Sequence, residues 1–170
     1  MRAFTFENAT KIYFGGGCVK EHLLEAVKPY GETVMLAYGG GSIKTNGIYQ
    51  EVMDVLKLAG KQVIEFSGIM PNPTYSKVME GKKVVQENQV DLILAVGGGS
   101  VMDCSKAISM AAATDKDVWE EYWIKKGEID FEPVPVGVIV TVVGTGSEVN
   151  GEGVITHEEQ KIKTSRNYPR

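Results

Sequence analysis

The chain has 170 residues, 43% of them hydrophobic and 24% charged, which suits a single globular domain with a proper core. A net charge of -4 excludes the basic footprint of a nucleic-acid binder and points to a small-molecule partner. The start, MRAFTFENATKIYF, is not built as a secretory leader, and the longest apolar stretch, Val134 to Val143, is broken by Pro135 and Gly137 and is too short for a membrane span. Cys18 and Cys104 stand alone, so two free thiols and a cytoplasmic location are expected.

Thr5-Phe6 and Lys11 to Phe14 read as short strands of an entry ribbon, separated by the turn Asn8-Ala9-Thr10. After Gly15-Gly16-Gly17, Val19, Leu23, Ala26 and Val27 recur at helical spacing until Pro29 and Gly31. Thr33 to Ala37 is a buried strand that runs into Tyr38-Gly39-Gly40-Gly41-Ser42. Ile48, Val52, Val55, Leu56 and Ala59 then lie on one helical face, with Gly60 as the stop. Gln62 to Phe66 is the next strand. Pro71-Asn72-Pro73 hold an extended turn, and Thr74 caps a helix bearing Tyr75, Val78, Met79 and Val85.

Asp91 to Val96 is almost wholly apolar and suits a central strand covered on both faces. It ends at Gly97-Gly98-Gly99-Ser100, and the helix Val101 to Ala113 is apolar nearly all round, hence buried. Asp115 to Glu132 reads as a charged surface excursion. Val134 to Val143 reads as another central strand, leading to Gly144-Thr145-Gly146-Ser147-Glu148. Gly153 to Thr156 is one more strand, and the polar end from His157 to Arg170 shows no terminating element. Alternating strands and amphipathic helices predict an α/β fold, a Rossmann-like doubly wound parallel sheet.

Three glycine turns follow three strands, so in an open parallel sheet all three fall on one carboxyl edge, where ligands bind. Glycines let backbone approach a phosphate, and helix-start N–H groups favour an anion. Ser42, Ser100, Thr141, Thr145 and Ser147 could add hydroxyl donors. Neither G-x-G-x-x-G nor the P-loop pattern occurs in these turns. Plainer readings stand beside these: Asp103 and Lys106 as a surface ion pair, Tyr38 as packing, and Glu148 as complement to a following helix start.

The set Gly97-Gly98-Gly99-Ser100-x-x-Asp103-x-x-Lys106, with Pro71-Asn72-Pro73 before it and Gly144-Thr145-Gly146-Ser147-Glu148-x-Asn150 after it, resembles the iron-dependent alcohol dehydrogenases, closest to their butanol-dehydrogenase and aldehyde-reductase branch. The opening FTFENATKIYFGGG is similar to that family's first strands, so the resemblance covers essentially residues 1–170, as an N-terminal nucleotide-binding domain. It implies that Gly97, Gly98, Gly99 and Ser100 cradle a pyrophosphate. It implies further that Asp103 sits near the nicotinamide ribose, that Asn72, Thr141, Thr145 and Asn150 line the cleft, and that Lys161, or its near neighbour Lys163, reaches the cofactor.

Members of the family that prefer NAD carry an acid near the end of the first strand of this unit. Here that position lies in the turn Gly39, Gly40, Gly41, Ser42, and Lys44 follows, so Ser42 and Lys44 are expected to bind a 2′-phosphate and the cofactor is expected to be NADP(H). The resemblance also implies a homodimer joined through the N-terminal strands, and hydride transfer between alcohols and aldehydes assisted by a divalent metal, iron or zinc. The family's ligands are one Asp and three His on a C-terminal helical domain. His22 and His157, the two histidines of this chain, do not match that pattern, so the chain is expected to lack the metal and to be inactive alone. A non-catalytic nucleotide-binding module, an inactive truncated product, an oligomerising fragment, and another enzyme of the same superfamily are the competing expectations.

Overall fold

The computed structural model describes residues 8–167. Helix α1 spans Cys18–Val27 and strand β1 Thr33–Tyr38, followed by one short turn of helix, α2 at Ser42–Thr45, and by α3 at Ile48–Leu58. Strand β2 is Gln62–Phe66, α4 Tyr75–Glu87, β3 Leu92–Gly97, α5 Gly99–Ala112 and β4 Val136–Val140. A hairpin of β5, Glu152–His157, and β6, Ile162–Asn167, completes the described chain. No helix among the described residues is long and apolar enough to cross a membrane.

The main sheet is wholly parallel, in the order β2-β1-β3-β4. Each strand shows opposite faces to alternate side chains, and β1 and β3 therefore feed two separate cores. Val34, Leu36, Tyr38, Leu92, Leu94 and Val96 pack under α1 and α3. Met35, Ala37, Ile93 and Ala95 pack under α4 and α5. All six residues of β3 are buried, as expected for a strand covered on both faces.

Thr74 caps α4 as its sequence predicts: its side-chain oxygen accepts from the Lys77 backbone N–H at 3.3 Å. Halfway along that helix Gly81 lets α4 pass close to α5. A Cβ there would lie 2.3 Å from Ile108 Cδ1, which explains a residue that otherwise weakens a helix by about 1 kcal/mol.

Four expectations need correction. Lys11 to Phe14 forms no strand, because it has no ladder partner among the described residues; Phe14 is 97% exposed, and Thr5-Phe6 lies outside the described residues. Among the described residues β4 is an edge strand of the sheet, not a central one: it pairs there with β3 alone, and its residues are half-buried throughout. The segment from Asp115 to Glu132 is not a surface excursion. It contains a π-helical stretch, Trp119–Ile124, that buries Trp119, Tyr122 and Trp123 in the α4/α5 core, each contributing about 2–3 kcal/mol by removal from water. Trp119 Nε1 donates to Gln160 Oε1 at 2.8 Å, which explains how so polar a segment is anchored.

The fourth correction concerns the chain's end. The polar stretch after His157 is not without structure: it turns at Lys161, whose φ is 56°, and pairs antiparallel with β5. The hairpin packs on α5 and on the start of α4. Thr156 N donates to Pro73 O at 2.9 Å, and the His157 ring stacks on Tyr75 at 5.1 Å.

Candidate functional site

With strand order 2-1-3-4, the chain leaves β1 toward one face of the sheet and β3 toward the other. The carboxyl ends of these neighbours therefore bound a crevice, the switch point at which open α/β sheets bind ligands. The turn Gly39 to Ser42 lies on one side and Gly97 to Ser100 on the other. Val101 Cγ2 joins them: it is 3.8 Å from where a Cβ on Gly39 would stand and 2.5 Å from the same point on Gly97. Gly39 O accepts from Gly68 N at 3.1 Å, which ties the segment after β2 to the same edge.

The third glycine turn closes on the second. A Cβ on Gly99 would stand 2.6 Å from Thr145 Cγ2, and one on Gly98 3.5 Å from Val142 Cβ. Thr141 N donates to Gly97 O at 3.0 Å. All three turns thus meet at one place, as their positions after three strands predict. Helix α5 begins there with no side-chain cap, and the N–H groups of a first helical turn have no partner within the helix.

Asp103 lies one turn into α5 and is committed to the protein on both oxygens. Oδ1 accepts from Ser147 Oγ at 2.9 Å and Oδ2 from Val154 N at 3.2 Å. Burial raises its pKa above the usual carboxylate value, and the Ser147 and Val154 hydrogen bonds oppose that rise. Lys106 Nζ donates to Asn150 O at 2.8 Å, Asn150 Oδ1 at 3.2 Å and Glu152 O at 2.9 Å. Asp103 and Lys106 therefore brace α5 against the segment 147–154 rather than forming a surface ion pair. Asn150 is the hinge of that brace, since its Oδ1 also accepts from Glu152 N at 2.9 Å.

Lys161 stands exposed in the hairpin turn, whereas Lys163 Nζ donates to Asn72 Oδ1 at 2.6 Å. Of the two lysines it is Lys163 whose charge comes to the Pro71-Asn72-Pro73 segment. Tyr38 is 3% exposed and packs in the core, with its hydroxyl on Glu65. Glu148 precedes a strand, not a helix, and its buried Oε2 has no hydrogen-bond partner among the described residues. Glu65 itself was not visible as a site residue in the sequence; the available signal was one acid in the otherwise apolar second half of β2.

Among the described residues no three His, Cys, Asp or Glu side chains gather as a metal-binding group. His22 stacks on Tyr13 at 4.3 Å, and His157 lies between Tyr75 and Trp119. Cys104 is a free thiol that burial pushes up to about 12, so it supplies no thiolate near neutral pH.

Comparison with known proteins agrees with this fold. The chain is 46% identical over 163 residues to a probable NADH-dependent butanol dehydrogenase of Bacillus subtilis, covering 96% of this chain and 41% of that protein. It is 38% identical over 159 residues to the NADPH-dependent aldehyde reductase YqhD of Escherichia coli, covering 93% of this chain and 40% of that one. The solved structure of NADH-dependent butanol dehydrogenase A from Thermotoga maritima superposes with a TM-score of 0.92 at 40% identity, over 99% of this chain and 42% of that one. The chain therefore spans about 41% of the length of the curated relatives it matches. The described residues do not supply a donor set for the iron named in the family's description. The sequence profile of iron-containing alcohol dehydrogenases matches residues 9–170, and the chain belongs to that family.

Proposed function

We propose that the chain is the NADP(H)-binding domain of a cytoplasmic, metal-dependent alcohol dehydrogenase that interconverts primary alcohols and aldehydes by hydride transfer. The observation that carries this reading is the meeting of three glycine turns at the β1/β3 switch point, against the uncapped start of α5. The pyrophosphate lies over Gly97 to Ser100. Asn72, Thr141 and Thr145 line the cleft, Lys163 rather than Lys161 brings a positive charge to its rim, and Asp103 and Asn150 hold the α5 end in place.

The preference for NADP(H) rests on Gly39, where a carboxylate would repel a 2′-phosphate, and on Ser42 and Lys44 as donors. The metal, iron or zinc, belongs to a C-terminal helical domain of the parent enzyme, where it supplies Lewis-acid polarisation of the substrate oxygen. This chain alone has no turnover. The resemblance to the family implies a homodimer of the parent.

Calorimetric titration of the purified chain is expected to give tighter binding of NADPH than of NADH, with the order reversed in Gly39→Asp. Tighter NADH binding by the unmodified chain would overturn the preference, and no binding of either nucleotide would overturn the domain's function. Ferrous or zinc ion, NADPH and butyraldehyde added together are expected to show no NADPH oxidation. Turnover at the rate of a full-length relative is the contrary result.

A further inference from the structure

Beside the first glycine turn, four elements converge on one carboxylate. Glu65 of β2 stands opposite Leu36 of β1 in the sheet register. Tyr38 of β1 donates its hydroxyl to Glu65 Oε2 at 2.6 Å, and Tyr49 of α3 donates to Oε1 at 2.8 Å. Lys44 of α2 reaches Oε2 at 3.4 Å. Its ammonium lies 5.2 Å from the Tyr38 ring centroid and 4.6 Å from that of Tyr49, so two rings and a carboxylate hold it. Both charged side chains remain open to solvent, 48% for Lys44 and 42% for Glu65, and a ligand can reach them.

The two hydroxyls keep Glu65 ionised: hydrogen bonds from Tyr38 and then Tyr49 lower its pKa below the usual carboxylate value. In an open α/β sheet the adenosine half of a dinucleotide leaves the switch point across β1 toward β2. An acid at that place accepts from ribose hydroxyls and opposes a 2′-phosphate. Glu65 is next to last in β2 and reaches Lys44 just past the first glycine turn, so it stands on that side of the crevice, and it also neutralises the lysine that a 2′-phosphate would need.

We propose that Glu65 is a specificity-determining residue for the adenosine end of the cofactor. It restrains and compensates Lys44, narrowing the advantage of a 2′-phosphorylated cofactor, and it offers a carboxylate acceptor to an unphosphorylated ribose. This rests on the reading above that Gly39 to Ser42 receives the cofactor's ribose. The consequence is a balanced site in which one charge decides the ratio of the two nucleotides.

The test is titration of NADPH and NADH into the 170-residue chain and into Glu65→Gln. Glutamine keeps an acceptor for a tyrosine hydroxyl and removes the charge. The ratio of NADPH to NADH affinity is expected to rise about three- to fivefold, the scale of one released exposed ion pair. Tyr49→Phe, which withdraws one hydroxyl that orients the carboxylate, moves the ratio the same way by less. In a Lys44→Met background, Glu65→Gln is expected to bring a smaller gain in NADPH binding, because only the direct repulsion of the 2′-phosphate is then relieved. If both nucleotides bind and the ratio is unmoved in Glu65→Gln and in Tyr49→Phe, the role of Glu65 is overturned while the domain's function stands. If neither nucleotide binds the folded chain, both fall together.

Discussion

The turns Gly39-Gly40-Gly41-Ser42 and Gly97-Gly98-Gly99-Ser100 are written in the same four letters and stand side by side, yet they need glycine for different reasons. In the second turn the glycines are packed. A Cβ on Gly97 would meet Val101 Cβ at 2.8 Å, and one on Gly99 would meet Thr145 Cβ at 3.1 Å. In the first turn Gly40 and Gly41 face open space, with no atom within 4 Å of an added methyl, and Gly41 alone is held at a positive φ, 103°. One turn is glycine because the fold is dense there. The other is glycine for the backbone conformation of Gly41, and at Gly40 it leaves open space.

Substitution separates the two causes, and the largest effect is expected in the packed turn. Gly97→Ala forces a methyl against the branched carbon of Val101 at the buried end of β3, at a cost of about 2–3 kcal/mol. Thermal unfolding is expected at a Tm lower by roughly 4–10 °C. A Tm within 1–2 °C of the unmodified chain, roughly the error of one kcal/mol or less, would mean that the turn is looser than its geometry states. Gly41→Ala is expected to cost less, about 1–2 kcal/mol, because the strain is in the backbone and not in a clash. Gly41→Asn, which tolerates that conformation better, should recover part of the loss in the same measurement.

The brace of the second turn gives the next effect. Ser147→Ala removes one of the two hydrogen bonds on the Asp103 carboxylate and is expected to cost about 1 kcal/mol at neutral pH. The sign of its pH dependence follows from Asp103, whose folded pKa is raised above 3.8, chiefly by burial. The folded state therefore favours the protonated acid, and the stability it contributes is present below 3.8 and lost as pH rises through the folded value. Losing Ser147 raises that value further. Urea unfolding across this range should show the variant's deficit growing from acid toward neutral pH, and a deficit that shrinks would show that Ser147 does not act on Asp103.

The same contrast explains what was legible beforehand. Local signals carried β2, the Thr74 cap, the fully covered β3 and the three glycine turns, because each depends on residues adjacent in the chain. The burial of Trp119 was hidden by the acids around it; it depends on Gln160 and His157, which arrive only when the hairpin folds back, and Trp123 stacks on Trp119 in turn. β4 looks central because Val136, Val138, Ile139 and Val140 are apolar on both faces, and composition reports faces covered, not strands paired. At the site, the glycine turns could be read as sequence. The commitment of Asp103 to Ser147 and of Lys44 to Glu65 could not, since each joins residues of different elements.

The smallest effect on stability is the most informative about function. Gly40→Ala adds a methyl where no atom lies within 4 Å, at a residue whose φ is not in the left-handed region, so stability should change by no more than about 0.5 kcal/mol. A turn that is open because a ribose phosphate comes close to its backbone has no room for that methyl once the cofactor is bound. NADPH affinity should therefore fall several-fold in a chain whose unfolding is unchanged. Gly98→Ala provides the reference: its methyl would meet Val142 Cβ at an ordinary 3.5 Å, in the second turn on the other side of the crevice. If Gly40→Ala binds NADPH like the unmodified chain while Gly98→Ala does not, the cofactor is held by the second turn alone. The first turn would then be open for no ligand's sake.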